Sequence, residues 1–519
     1  MSERLPIEVT INDQNMTIEE LVSIARYKNT LYLSEEVKKR LKDQRAILDK
    51  TLYEKDIPMY GINTGVGENS NTSISTPDLK KLQNNIIFSH ACGMGEPLED
   101  EIVRGIIVVM VKNLSLGYSG IRLETVEALI TLLNHKITPI VPREGSLGYL
   151  SPQAHISLVL LGFGEAYIHN QRISGKKALN QANLKPLELH EKEGLSLING
   201  TSDMTGIGAL AIYDVINLIK TSDVVSMISF EALKSSYYAY DERLARVKSH
   251  QGQINTQKNI KSIINNSRLA EKNKSYRTQD ALSIRAVPQV HGAGKDALRY
   301  CKNVIDIEMN AATDNPLIFF DEVDENAEMN VFSSANPVGE NVAQALDFLT
   351  MAVAEIANIS ERRTFRLVSP QYSDLPNYLV KDNGLNSGLM IPQYVAASLV
   401  SDNKIYAHPS SVDSISTSGG QEDHASMGYS AALKLRKVIK NSEKVLGIEW
   451  LSSCQALEYL DPYQSGEGTY VAFALLRKDV SFLSEDRVLS PDMNRAEQLI
   501  HSEILVKNVE EKVGTLLVD

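Results

Sequence analysis

A chain of 519 residues with a formal charge of −12 and 43% hydrophobic residues has ample material for a large core and is poorly suited to nucleic acid or anionic membranes. Its cysteines, Cys92, Cys301 and Cys454, are odd in number and lack metal-ligand spacing, so the sequence predicts no disulfide framework and no metal site, and a cytoplasmic setting. The first residues show no apolar core behind a basic start, and no uninterrupted apolar run reaches membrane length, so neither a signal peptide nor a membrane span is expected.

Ile7, Val9 and Ile11 alternate with polar residues before Asn12-Asp13, which predicts the start of a β-hairpin. Thr17-Ile18-Glu19-Glu20 is a capping box ahead of an amphipathic helix running to Arg26. Ser34 opens a second helix with Val37, Leu41 and Leu48 on one face. Long apolar helices are expected over 204–233, 340–363 and 425–445, none interrupted by proline. Residues 318–332, acidic between apolar ends, read as a β-hairpin. The fold class is therefore mainly α: a long central helical bundle with small β-hairpins, its helices joined by Gly- and Asn-rich loops. Residues 1–200 form a loop-rich helical N-terminal part, and 201–519 hold the long-helix bundle and a C-terminal helical part. No internal repeat, low-complexity tract or P-loop is present.

The loops carry motifs in a fixed order. Tyr60-Gly61-Ile62-Asn63-Thr64-Gly65-Val66-Gly67 comes first, then Leu82-Gln83-Asn84 and Ser89-His90-Ala91-Cys92-Gly93. Leu197-Ile198-Asn199-Gly200-Thr201, Gln279-Asp280-Ala281-Leu282-Ser283-Ile284-Arg285 and Asp314-Asn315-Pro316-Leu317 follow. Gly384-Leu385-Asn386-Ser387-Gly388 and Gln421-Glu422-Asp423-His424-Ala425-Ser426-Met427-Gly428 complete the set. Together, over most of the chain, they resemble the histidine and phenylalanine ammonia-lyases. The resemblance implies a helical bundle of the fumarase/aspartase type and a homotetramer whose active sites take loops from three subunits. One stretch departs from the family. Gly145-Ser146-Leu147-Gly148-Tyr149-Leu150-Ser151-Pro152-Gln153-Ala154-His155 is similar to its cofactor loop, where Ala-Ser-Gly cyclises to methylidene-imidazolone (MIO), the electrophile that bonds the substrate amine. Here Gly148 runs straight into Tyr149, so MIO is expected to be absent and no other cofactor to replace it.

The resemblance also implies site residues. Tyr60 matches the catalytic base on its Gly-flanked loop. Arg285 matches the arginine that grips the substrate carboxylate through a bidentate fork, with Asn199 beside it. His90 matches the position that contacts the substrate ring, and Glu422 the acidic residue of histidine-type members, able to accept an imidazole N–H. Lys381 departs from the family pattern and is expected to stabilise charge developing on the substrate ring. Tyr149 is expected to fill the space of the missing triplet and to face a substrate cation. A base takes an ammonium proton before a β-carbon proton, and the stripped amine is a very poor leaving group. A quaternary ammonium avoids this, because it has no N–H and leaves as a neutral amine. The expected activity is therefore trimethylamine release from ergothioneine to give thiourocanate, as in the MIO-lacking ergothionase branch. A histidine ammonia-lyase, giving urocanate and ammonia, and a catalytically dead paralogue stand beside it.

Overall fold

The computed structural model describes residues 5–54, 58–320 and 329–519. Near the N-terminus Glu8–Ile11 pairs with Thr30–Leu33 in parallel, register Val9 to Leu31, with the Ile18–Ala25 helix crossing between them. This corrects the expected hairpin. The capping box commits the chain to a helix directly after the first strand, and a strand regained after a crossover lies parallel to the first. The box itself forms: the Glu20 N–H donates to Thr17 Oγ1 at 3.2 Å and the Thr17 N–H to Glu20 Oε2 at 2.8 Å.

The second helix runs Glu35–Glu54, with the Val37 N–H donating to Ser34 Oγ. Four long helices build the centre: α1 (Ser202–Ala232), α2 (Val287–Met309), α3 (Glu340–Val368) and α4 (Gly428–Leu457). α1 is apolar nearly all round and buried along almost its whole length, because α2, α3, α4 and the Asp100–Ser115 helix surround it. Its crossing with Asp100–Ser115 is closed by glycine on glycine: a Cβ at Gly206 would lie 2.8 Å from the backbone of Gly105. α3 reaches a mean hydropathy of 1.3 over a membrane-length window, yet it packs between α1, α2 and α4. One hydrophobic core runs from Val9 to Val518.

Two buried carboxylates inside the bundle are each paired with a cation. Asp223 on α1 accepts from Lys295 Nζ at 2.6 Å, from the His291 ring at 2.8 Å and from Asn259 at 2.8 Å. Glu449 on α4 takes both arms of Arg363, at 2.6 and 2.8 Å, and the hydroxyls of Ser229 and Ser360. Leu317–Phe319 and Asn330–Phe332 pair antiparallel as the two ends of the expected hairpin, whose residues 321–328 lie outside the described residues.

Candidate active site

Tyr60 stands on a loop that closes on itself. The Gly65 N–H donates to Thr72 O, and the Ile74 N–H to Asn63 O at 2.9 Å. The Gly67 N–H donates to the Tyr60 phenol oxygen at 3.0 Å, where it would stabilise negative charge on that oxygen. Fully buried Gln83 fastens the loop from behind: its Nε2 donates to Gly61 O and its Oε1 accepts from the Gly194 N–H at 2.9 Å. The Leu82-Gln83-Asn84 motif is thus a brace for the tyrosine loop.

His90 closes the Leu79–His90 helix, and its Nδ1 lies 2.7 Å from Ile86 O. A carbonyl only accepts, so Nδ1 carries the proton, and in the neutral ring Nε2 is left as an acceptor. Glu422 closes a tight turn on Thr417: the Thr417 N–H donates to Glu422 O at 2.8 Å and Thr417 Oγ1 to Glu422 Oε2 at 3.0 Å. This turn lies against the tyrosine loop, since a Cβ at Gly419 would meet the Glu68 carboxylate at 2.2 Å. Asn199 has spent both amide protons, on Asp314 Oδ1 and Asn315 O, and keeps only Oδ1 for a ligand.

The shortened loop is pinned from within. The Gly148 N–H donates to Ser146 Oγ at 3.1 Å, and that hydroxyl lies 3.1 Å from Tyr149 O and 2.8 Å from Asp203 Oδ2. Gly148 has φ +142°, and a Cβ there would meet Met204 at 2.6 Å. Leu150 takes φ +81°, an uncommon conformation for a branched side chain. Burial raises the Asp203 carboxyl to about 6. Burial, with the Glu422 carboxylate and the Tyr60 phenol beside it, pushes the Tyr149 phenol up to about 12. The residues of this loop do not fit MIO, because no Ala-Ser-Gly triplet lies between Gly148 and Leu150 and Ser146 is committed as a latch.

Tyr60, His90, Tyr149, Asn199 and Glu422 all line one cavity of about 830 Å³, a size suited to a small organic substrate. Arg285 and Lys381 do not. Arg285 ends the short Leu282–Arg285 helix and donates through Nε to Asp280 O at 3.0 Å, while Lys381 is exposed on its own loop. The sequence reading missed Asp203 and Ser146 beneath the loop and Thr417 behind Glu422. An acid placed just after Asn199-Gly200-Thr201, at the start of an otherwise apolar helix, was the available signal for Asp203.

Residues 16–478 match the aromatic amino acid lyase family. The chain belongs to it. The histidine ammonia-lyase of Alkaliphilus oremlandii is 45% identical over 509 residues, 98% of this chain and 99% of that one. Among solved structures of this family, histidine ammonia-lyase from Trypanosoma cruzi superposes with a TM-score of 0.89 at 36% identity, over 97% of this chain and 95% of that one. Ergothionase from Treponema denticola, described there as ergothioneine-degrading, gives 0.89 at 27% identity, over 96% and 99%. These relationships confirm the ammonia-lyase fold and correct the expected substrate. Relatives 42 to 46% identical over nearly the whole chain are histidine ammonia-lyases, which overturns the trimethylamine-releasing, ergothioneine-directed reading. That reading rested on leaving-group chemistry inferred from one loop.

Proposed function

We propose that this chain is a carbon–nitrogen lyase of the histidine type, eliminating ammonia from L-histidine to give urocanate. The observation that carries the reading is the meeting of Tyr60, His90 and Glu422 on one cavity. His90 Nε2 and the Glu422 carboxylate are both acceptors, so together they suit a ring that presents two N–H groups, an imidazolium. A protonated ring also draws electrons from the adjoining β-carbon, which makes its proton easier to remove. Tyr60 is the base for that proton, with the Gly67 N–H placed to stabilise its phenolate. Asn199 Oδ1 is an acceptor for the substrate amine.

MIO is not part of the proposed reaction, which runs on the chain's own side chains. Arg285 acts as the carboxylate clamp of a neighbouring subunit's cavity in a homotetramer. Exposed apolar side chains on the bundle support such an assembly, among them Ile307, Phe348, Ile391 and Tyr394. Incubating the purified protein with L-histidine tests the proposal. Urocanate and ammonia in equal amounts are expected, and the absence of both would refute it.

A further inference from the structure

Lysine is almost never fully buried unless it is paired, and Lys192 is buried completely. It stands outside the cavity wall, at the start of the short Glu193–Ile198 helix whose other end is capped by Asn199. We infer that Lys192 is a positioning residue: through Asp314 it holds the Asn199 amide with its oxygen turned toward the α-ammonium of the substrate. The inference rests on the histidine reading above, which gives Asn199 Oδ1 to the substrate amine.

Asp314 joins the two ends of that helix. Lys192 Nζ donates to Asp314 Oδ2 at 2.6 Å and to Ser196 Oγ at 3.0 Å. Asp314 Oδ1 accepts from Asn199 Nδ2 at 3.1 Å and from the Asn315 N–H at 2.7 Å. Each of these contacts brings a proton to the carboxylate, so Asp314 acts purely as an acceptor. The acids on either side of Lys192 are engaged elsewhere: Glu191 faces Arg45 at 3.5 Å, and Glu193 faces Arg122 at 2.7 Å. Among the described carboxylates Lys192 therefore pairs with Asp314 alone. Its backbone takes φ +75°, a left-handed conformation that is costly in a residue other than glycine.

A carboxylate kept charged by an ammonium is a stronger acceptor than a neutral carboxyl. It draws the Asn199 N–H toward itself and polarises the amide, so that negative charge gathers on Oδ1, the atom left for the substrate amine. Without the lysine, a carboxylate buried to this depth would take up a proton rather than stay charged and unpaired. Its O–H then becomes able to donate to Asn199 Oδ1, in competition with the substrate ammonium. The Asn315 carbonyl takes the other Asn199 amide proton at 2.8 Å whether or not Lys192 is present, so the expected loss is partial.

The test is Lys192→Met placed in a Tyr60→Phe background, which stops turnover so that binding can be measured by calorimetry. L-Histidine is compared with imidazolepropionate, the same skeleton without the amine. Affinity for histidine should fall about tenfold, while that for imidazolepropionate stays within about twofold. Lys192→Met/Asp314→Asn, which leaves no buried charge unpaired, should show the same selective loss and decides the matter if the single variant does not fold. An equal loss of both ligands, as a general loosening of the site would give, or no loss of either, would overturn the role. Wild-type protein that makes no urocanate would refute the histidine reading itself, a result the turnover assay separates from an unselective variant.

Discussion

The interior of the bundle and the cavity both remove charged groups from water, yet they treat them in opposite ways. In the bundle Glu449 has Arg363 and two serine hydroxyls on its oxygens, and Asp223 has Lys295, His291 and Asn259. Nothing there is left to bind a ligand. In the cavity His90 keeps Nε2, Asn199 keeps Oδ1 and Tyr60 takes only one backbone N–H, so each is held in place but has an atom to spare. Full satisfaction marks structure, and partial satisfaction around a space marks chemistry. The bundle has exceptions, His291 Nε2, Trp450 Nε1 and Glu231 Oε2 among them, each buried without a partner; Glu231 is fully buried, accepts the Gly466 N–H at 2.8 Å on its other oxygen and faces no cation.

Substitutions on the two sides should separate cleanly. Tyr60→Phe should lower kcat for histidine by about 10²- to 10⁴-fold while leaving the unfolding midpoint in place. A variant with more than a tenth of wild-type activity would break the contrast. Arg363→Met should do the reverse, costing about 3–5 kcal/mol in urea unfolding because Glu449 stays buried without its cation. A neutral result would mean that the bundle tolerates an open charge as readily as the cavity does.

Glu231→Gln sharpens the comparison through pH. Burial raises the Glu231 carboxyl from 4.5 to about 7. The native state therefore holds a proton that the unfolded chain gives up, and this contribution is fully present below about pH 4.5 and is lost as pH rises through 7. Relative to wild type, the glutamine variant should gain about 3 kcal/mol between pH 4.5 and pH 8. A pH-independent difference would contradict the assignment. Thr17→Ala, distant from both regions, should cost only about 1 kcal/mol through loss of the capping box, and unfolding with unchanged histidine turnover is the check.

What was legible in the sequence was local. The capping box at Thr17, the tyrosine loop and the long helices from Ser202 and Glu340 depend on neighbours a few residues apart, and each stands where the pattern placed it. α4 begins at Gly428 and runs to Leu457, beyond the expected 445, because its last turns are as buried as its first. The strand partner of Glu8–Ile11 was misread, since a parallel pairing across a helix leaves no mark at a turn. Ser146 and Asp203 were invisible because they meet across 57 residues. The substrate was misjudged for a related reason. A three-residue gap decided it, although His90 and Glu422, the residues implied to touch the ring, already pointed to an imidazole amino acid.

The most direct test of the central claim is the turnover of L-histidine by a preparation whose intact mass has been measured. Urocanate from a protein of the mass its sequence dictates is the predicted result, an ammonia elimination run by Tyr60 and its neighbours on an uncyclised loop. Urocanate only from protein lighter by the water lost in cyclisation, or no urocanate at all, would contradict it.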